Sequence, residues 1–151
     1  MPNPETRQFI ERMGLAIERL GLTRNFGRLF GLLMVAERPL SLDEMVERLG
    51  VSKASVSTNA RACEELGLAR QVGVRGDRKD YYEIAPGAFE SMMAKRVGVI
   101  HAMAGLAAEG VQAVGEEPSA ARDRLTEMLD FYLFMGEQIE ELLERWREVK
   151  G

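Results

Sequence analysis

Two helix starts stand eleven residues apart in "LSLDEMVERLGVSKASVSTNARACEELG", residues 40–67, with a single turn between them. In the first, Ser41 is placed to cap a helix while Glu44 reaches back to the capping backbone, and Leu40 can pack on Met45 as a hydrophobic staple. Gly50 ends that helix. Only Val51 then precedes Ser52, the next capping residue, with Val51 and Val56 set as a second staple. Two short helices joined by three or four residues including Gly form a helix-turn-helix.

The second of these helices has two different faces. At about 100° per residue, Val56, Ala60 and Cys63 fall within about 60° of one another and point inward. Ala54, Thr58 and Arg61 lie opposite, flanked by Ser55, Ser57 and Ala62, and no acid intrudes before Glu64 and Glu65. A surface so small and polar can approach a nucleic-acid groove closely. Its hydroxyls suit phosphate oxygens or base edges, and Arg61 suits a bidentate pair with guanine. A merely solvated helix face would use the same residue types, so both readings stand at this point. Asn59 lies about 60° from the core direction and suits neighbouring backbone or DNA equally.

The next segment, "LARQVGVRGDRKDYYEIAP", reads as two short strands, about residues 69–74 and 81–84, joined by a loop with Gly76. The tip of this hairpin carries Arg75, Arg78 and Lys79 against Asp77 and Asp80. A basic hairpin directly after a helix-turn-helix is a wing, which lies along the DNA backbone or enters the neighbouring minor groove. The Arg-Gly-Asp tripeptide at 75–77 is read as chance.

Charge is divided along the chain. The net charge is -4, yet residues 23–80 hold ten Lys or Arg against eight Asp or Glu, whereas residues 81–151 hold seven against thirteen. The middle can meet an anion while the acidic remainder does something else. At 151 residues the chain suits one core of ordinary composition. One cysteine, Cys63, excludes an internal disulfide, and His101 without a second His or Cys excludes an ordinary zinc site; both are read as packing residues. No Gly-rich phosphate loop and no nucleophile beside a base appears, so no enzyme and no cofactor are expected. The absence of a long apolar run or of a basic-then-apolar leader points to the cytoplasm and away from a membrane.

The stretch "PLSLDEMVERLGVSKASVSTNARACEELGLARQVGVRGDRKDYYE" resembles the winged-helix domain of the GbsR-like branch of the MarR superfamily of transcriptional regulators. The resemblance rests on "SKASVS", "EELGL" and "GDRKDYYE" and covers about 45 of the 151 residues. It implies a homodimer on double-stranded DNA with a palindromic operator, contact through recognition helix and wing, a repressor, and release by a small ligand. By position it implies DNA contacts from Ser52, Lys53, Ser55, Ser57, Thr58 and Arg61 on the helix and Arg75, Arg78 and Lys79 on the wing. Ala60 and Cys63 depart from the larger aliphatic residues usual there, which leaves the tilt of the recognition helix open.

Helices flank this centre. One, about residues 5–20, steps through Ile10, Met13, Ile17 and Leu20; another, about 24–37, offers Phe26, Leu29, Phe30 and Leu33 and stops before Pro39. A third, about 87–110, carries Phe89, Met93, Val97, Ile100 and Ala104. From Ser119 to about residue 149 a last helix repeats Leu125, Met128, Tyr132, Met135, Ile139, Leu142 and Trp146 at alternating steps of three and four, a heptad seam. Leu129, Phe131, Phe134 and Leu143 widen it beyond a simple coiled coil, so a multi-helix dimer interface is expected, joined by Ile10, Met13 and Ile17. Phe131, Tyr132, Phe134 and Trp146 suit plain packing or an aromatic cage for a quaternary ammonium ligand.

The resulting expectation is a mainly α fold with a small β-hairpin wing: a helix contributing to dimerisation over 1–22, a winged helix-turn-helix domain over 23–85 and a helical dimerisation region over 86–151. The expected function is homodimeric, sequence-specific DNA binding. The alternative is a winged-helix module that docks another protein through the acidic helices.

Overall fold

Asn3 opens the first helix by accepting a hydrogen bond at its side-chain oxygen from the Thr6 amide at 2.8 Å, and Pro4, which has no amide hydrogen to satisfy, takes the first helical position. This helix, α1 (Pro4–Arg19), ends at a turn where Gly21 adopts φ 91°. Thr23 then caps α2 (Arg24–Val35). The computed structural model describes residues 3–151. The first two residues of the expected 1–22 segment therefore lie outside the described residues.

Glycine brings α1 and α2 into close contact. A Cβ on Gly27 would stand 2.7 Å from the Met13 carbonyl oxygen and 2.8 Å from the Gly14 Cα, and one on Gly31 would meet the Met13 side chain at 3.1 Å. Ile10 is buried, and Met13 and Ile17 are half-buried over this contact. Within the chain these three residues, expected at a dimer interface, lie against α2, with Met13 and Ile17 still partly exposed. Arg28 braces the pair through Glu11 at 2.9 Å and also donates to the Leu49 carbonyl at 2.8 Å.

After α2 comes a two-residue strand, β1 (Leu40–Ser41), then α3 (Leu42–Leu49) and α4 (Lys53–Glu65). The expected capping box is formed: Ser41 accepts from the Glu44 amide at 3.2 Å and Glu44 accepts from the Ser41 amide at 2.9 Å. Gly50 closes α3 in the left-handed conformation, φ 65°. Strands β2 (Ala69–Gly73) and β3 (Asp80–Ile84) make the antiparallel hairpin, Ala69 opposite Ile84 and Gly73 opposite Asp80. The hairpin alone was expected; β1 adds a third strand, Leu40 opposite Tyr82, and the sheet order is β1-β3-β2. The core beneath α4 consists of Val56, Ala60 and Cys63 with Phe26, Leu29, Leu32, Leu40 and Met45. All three inward residues of α4 are at most 1% exposed, as their phase on the helix requires.

The chain divides into two units, one ending at Phe89 and one from Glu90 to Gly151. Helix α1 belongs with the winged unit rather than standing apart. The second unit contains nearly all of α5 (Ala88–Ala113) and all of α6 (Ala120–Lys150), which Ser119 caps. These helices run antiparallel: Gly110 faces Leu125, His101 faces Gly136, and Glu90 pairs with Arg147. Ile100, Ile139 and Leu143 form their apolar contact, joined by Met93, Val97, Tyr132 and Met135.

The heptad seam of α6 is only partly realised as a seam to another helix. Leu125, Met128, Tyr132, Met135 and Ile139 turn toward α5 of the same chain, and Leu143 continues that row in place of Leu142, which is 50% exposed. A straight helix drifts about 20° per heptad against a 3.5-residue repeat, enough to exchange neighbouring positions by the third heptad. His101 is also corrected. It lies at the surface beside Glu140, with 3.4 Å between Nε2 and the carboxylate, and does not pack in a core.

Candidate nucleic-acid interface

The outward residues of α4 divide by their partners. Ser52 is the N-cap, accepting from the Ser55 amide at 3.1 Å, so its hydroxyl is already engaged in holding the helix start. Ser55 is half-buried, and its hydroxyl oxygen accepts from the Asn25 side chain at 3.3 Å. Ser57 accepts from Arg61 at 3.3 Å, which lays the guanidinium along the helix. Thr58 and Arg61 are exposed, as is Lys53 at the first helical position. The small, acid-free face anticipated from the sequence thus presents Lys53, Thr58 and Arg61 outward, while Ser55 turns partly toward α2.

Asn59 resolves the alternative left open above. It is 9% exposed, donates to the Ser55 carbonyl at 2.9 Å and accepts from the Thr23 hydroxyl at 3.0 Å. Its side chain bonds backbone and α2, away from the outer face.

The wing tip is built around Asp77. One carboxylate oxygen accepts from the Tyr81 hydroxyl at 2.6 Å and the other from the Lys79 amide at 2.9 Å. These bonds, the tyrosine's first, hold the Asp77 carboxyl below its usual range and raise the Tyr81 phenol. Gly76, at φ 83°, supplies the reversal that lets the loop close. Arg75, Arg78 and Lys79 are exposed around this turn. Neither Asp77 nor Tyr81 was singled out from the sequence as an organising pair, although the spacing Asp-x-x-x-Tyr across a tight loop carries that signal.

Helix and wing meet at a third residue. Asp43, on the first turn of α3, lies 3.2 Å from the Lys53 ammonium and 3.7 Å from that of Lys79. The start of α4 and the tip of the wing are therefore side by side, and their cations share one surface. A single carboxylate bridges them.

The aromatic residues of α6 do not converge in the chain. Phe131 and Tyr132 meet edge to face, ring centroids 5.4 Å apart, while Phe134 is exposed. Trp146 is fifteen residues beyond Phe131, about 22 Å along a helix rising about 1.5 Å per residue. A four-residue cage within one chain is excluded by that separation. Among the described residues no group of three or more His, Cys, Asp and Glu side chains is placed to hold a metal ion, and no helix is long and apolar enough to cross a membrane.

Comparison with known proteins shows the family of the chain. A family model described as MarR family matches residues 20–80, and one described as MmpR5-like MarR family transcriptional regulator matches residues 87–149. The HTH-type transcriptional regulator MmpR5 of Mycobacterium tuberculosis is 33% identical over 149 residues, 98% of this chain and 90% of that protein. The HTH-type transcriptional repressor GbsR of Bacillus subtilis is 32% identical over 84 residues, 51% of this chain and 46% of its own. A crystal structure of a transcriptional regulator superposes with a TM-score of 0.89 at 33% identity, over 96% of this chain and 99% of that one. The resemblance to the GbsR-like branch thus extends over about half the chain, and the likeness to MmpR5 over nearly all of it. The chain belongs to the MarR family of transcriptional regulators, DNA-binding winged-helix proteins and not enzymes.

Proposed function

We infer that two copies of this chain bind a palindromic operator together, each placing α4 in a major groove and its wing along the adjoining backbone or minor groove, and that the bound dimer represses transcription until a small ligand releases it. The observation that carries the DNA-binding geometry is the Lys53–Asp43–Lys79 arrangement, which brings the recognition helix and wing onto one cationic face. Arg61 reads base edges in this scheme, and Arg75, Arg78 and Lys79 hold phosphates.

Dimerisation is supported by what α6 leaves uncovered. Phe131, Phe134, Leu142, Trp146 and Val149 are between 45% and 79% exposed and lie within about 120° of one another around the helix. This stripe runs beside the one spent on α5, and a contiguous apolar surface of this kind marks a protein interface. Two-fold symmetry then requires half-sites about one DNA turn apart. A repressor role draws on the name of the GbsR relative. Ligand release requires a molecule that prefers the DNA-incompetent state by a few kcal/mol.

Selection from a random duplex pool, with light scattering at micromolar protein, tests this reading. It requires a dimer and an enriched inverted repeat with half-site centres about 10 bp apart or a multiple of that. A monomer that enriches no sequence would instead favour a module docking another protein through the acidic helices.

A further inference from the structure

The recognition helix has little apolar bulk to fix its rotation. Its inward row is Val56, Ala60 and Cys63, and the two smallest of these side chains offer short, nearly featureless contacts along which a helix can turn. Beside the apolar contact with Phe26, Leu29 and Leu32, the start of α2 meets α4 through polar groups. The Thr23 hydroxyl donates to the Asn59 side-chain oxygen at 3.0 Å, and the Asn25 amide donates to the Ser55 hydroxyl at 3.3 Å. Asn59 in turn donates to the Ser55 carbonyl and reaches its hydroxyl at 3.4 Å. Asn25 accepts from Arg28, the same guanidinium that holds the Leu49 carbonyl and Glu11. Among the described residues no buried side-chain nitrogen or oxygen is left without a partner.

We propose that this Thr23–Asn59–Ser55–Asn25 network sets the rotation of α4 about its own axis, and that Asn59 and Asn25 are positioning residues for base reading that touch no base themselves. Hydrogen bonds are directional where the contacts of Ala60 and Cys63 are not. With side chains reaching about 5–6 Å from the axis, a rotation of about 20° moves a contact atom by about 2 Å, more than a hydrogen bond tolerates. Phosphate contacts made by long lysines and arginines absorb such a shift; a bidentate arginine–guanine pair does not. The network therefore acts on sequence discrimination and leaves general affinity intact.

The proposal rests on the DNA-reading function inferred above and is tested with the full chain as Asn59→Leu and Asn25→Ala. Each variant is titrated with a duplex selected by the wild-type protein and with a scrambled duplex of equal length, well below its melting temperature. Both variants are expected to keep the scrambled-duplex affinity within twofold and its salt slope unchanged, while the ratio of selected to scrambled affinity falls at least tenfold. The loss is expected to spread over several base pairs of each half-site when these are substituted singly. If Asn59→Leu does not fold, Asn25→Ala, a half-buried change that leaves α4 itself untouched, decides alone. An unchanged ratio, or parallel losses on both duplexes, overturns the proposal. So does a contraction seen only in Asn59→Leu and confined to one base pair, which would make Asn59 a direct base contact. A wild-type protein that selects no sequence overturns the underlying function and this proposal with it.

Discussion

In the proposed scheme Arg61 and Arg78 divide base reading from phosphate holding at the level of single side chains. In the free protein Arg61 lies back on its own helix, bonded to the Ser57 hydroxyl and carbonyl, so engaging a base exchanges two weak local bonds of 3.3 and 3.4 Å for a charge-assisted pair. Arg61→Ala is expected to cost about 1–3 kcal/mol on the selected duplex and to relax preference at one position in each half-site. Arg78→Ala, at the wing tip, should weaken every duplex alike and flatten the salt slope by about one. Anisotropy titrations separate the two, and identical behaviour would dissolve the distinction between base and backbone contacts. The inward residues of α4 were legible because a helix repeats its faces at a fixed angle. The partner of Asn59 was not, because Thr23 is 36 residues away and only the folded chain brings it near. Cys63 shows the same separation: its inward phase was readable, while the burial that pushes its thiol up to about 12 belongs to the packed core.

Among the elements, the caps were the most readable features and the pairings the least. Ser41, Glu44, Gly50 and Ser52 act on residues within a turn of themselves, so both short helices could be placed without knowing their neighbours. Strand β1 is only Leu40 and Ser41 and exists because β3 offers it an edge, which no local pattern announces. The contact of α1 with α2 was equally hidden, since Gly14, Gly27 and Gly31 gain their meaning only when two helices approach. Gly27→Ala is expected to destabilise the winged unit: overpacking against the Met13 carbonyl costs about 1–3 kcal/mol, which the better helix propensity of alanine, up to about 1 kcal/mol, does not offset. A melting temperature equal to or above the wild type would contradict so tight a contact. At the start of α3, the Arg38 hydrogen bond, with that from the Ser41 amide, lowers Glu44 from 4.5 to about 2 despite partial burial. A depressed carboxylate stabilises the fold above its unfolded value, and that contribution is lost as pH falls from about 4.5 toward 2. The stability difference between wild type and Glu44→Gln, followed by urea unfolding at pH 7, 4 and 3, should therefore shrink with acid; a constant difference would remove the ion pair as its source.

For the whole molecule, the division of charge along the sequence fits the proposed division of labour, with the small cationic excess over residues 23–80 and, on the acidic α6, an exposed apolar stripe suited to a second copy. The heptad pattern announced a helix with too much apolar surface for one partner. It did not say which row faces α5, because a heptad row drifts by about 20° per heptad around a straight helix and only packing decides where a neighbouring row takes over. A dimer that reads DNA through Lys53, Arg61, Arg75, Arg78 and Lys79 must release counterions from both half-sites at once. Binding to a selected duplex and a scrambled one, measured by fluorescence anisotropy across a range of salt, reports that release directly. Four to eight phosphates neutralised per dimer correspond to a log–log slope of about -4 to -7, with the scrambled duplex bound far more weakly. Equal, weak and nearly salt-independent binding to both duplexes would contradict sequence-specific reading by this surface.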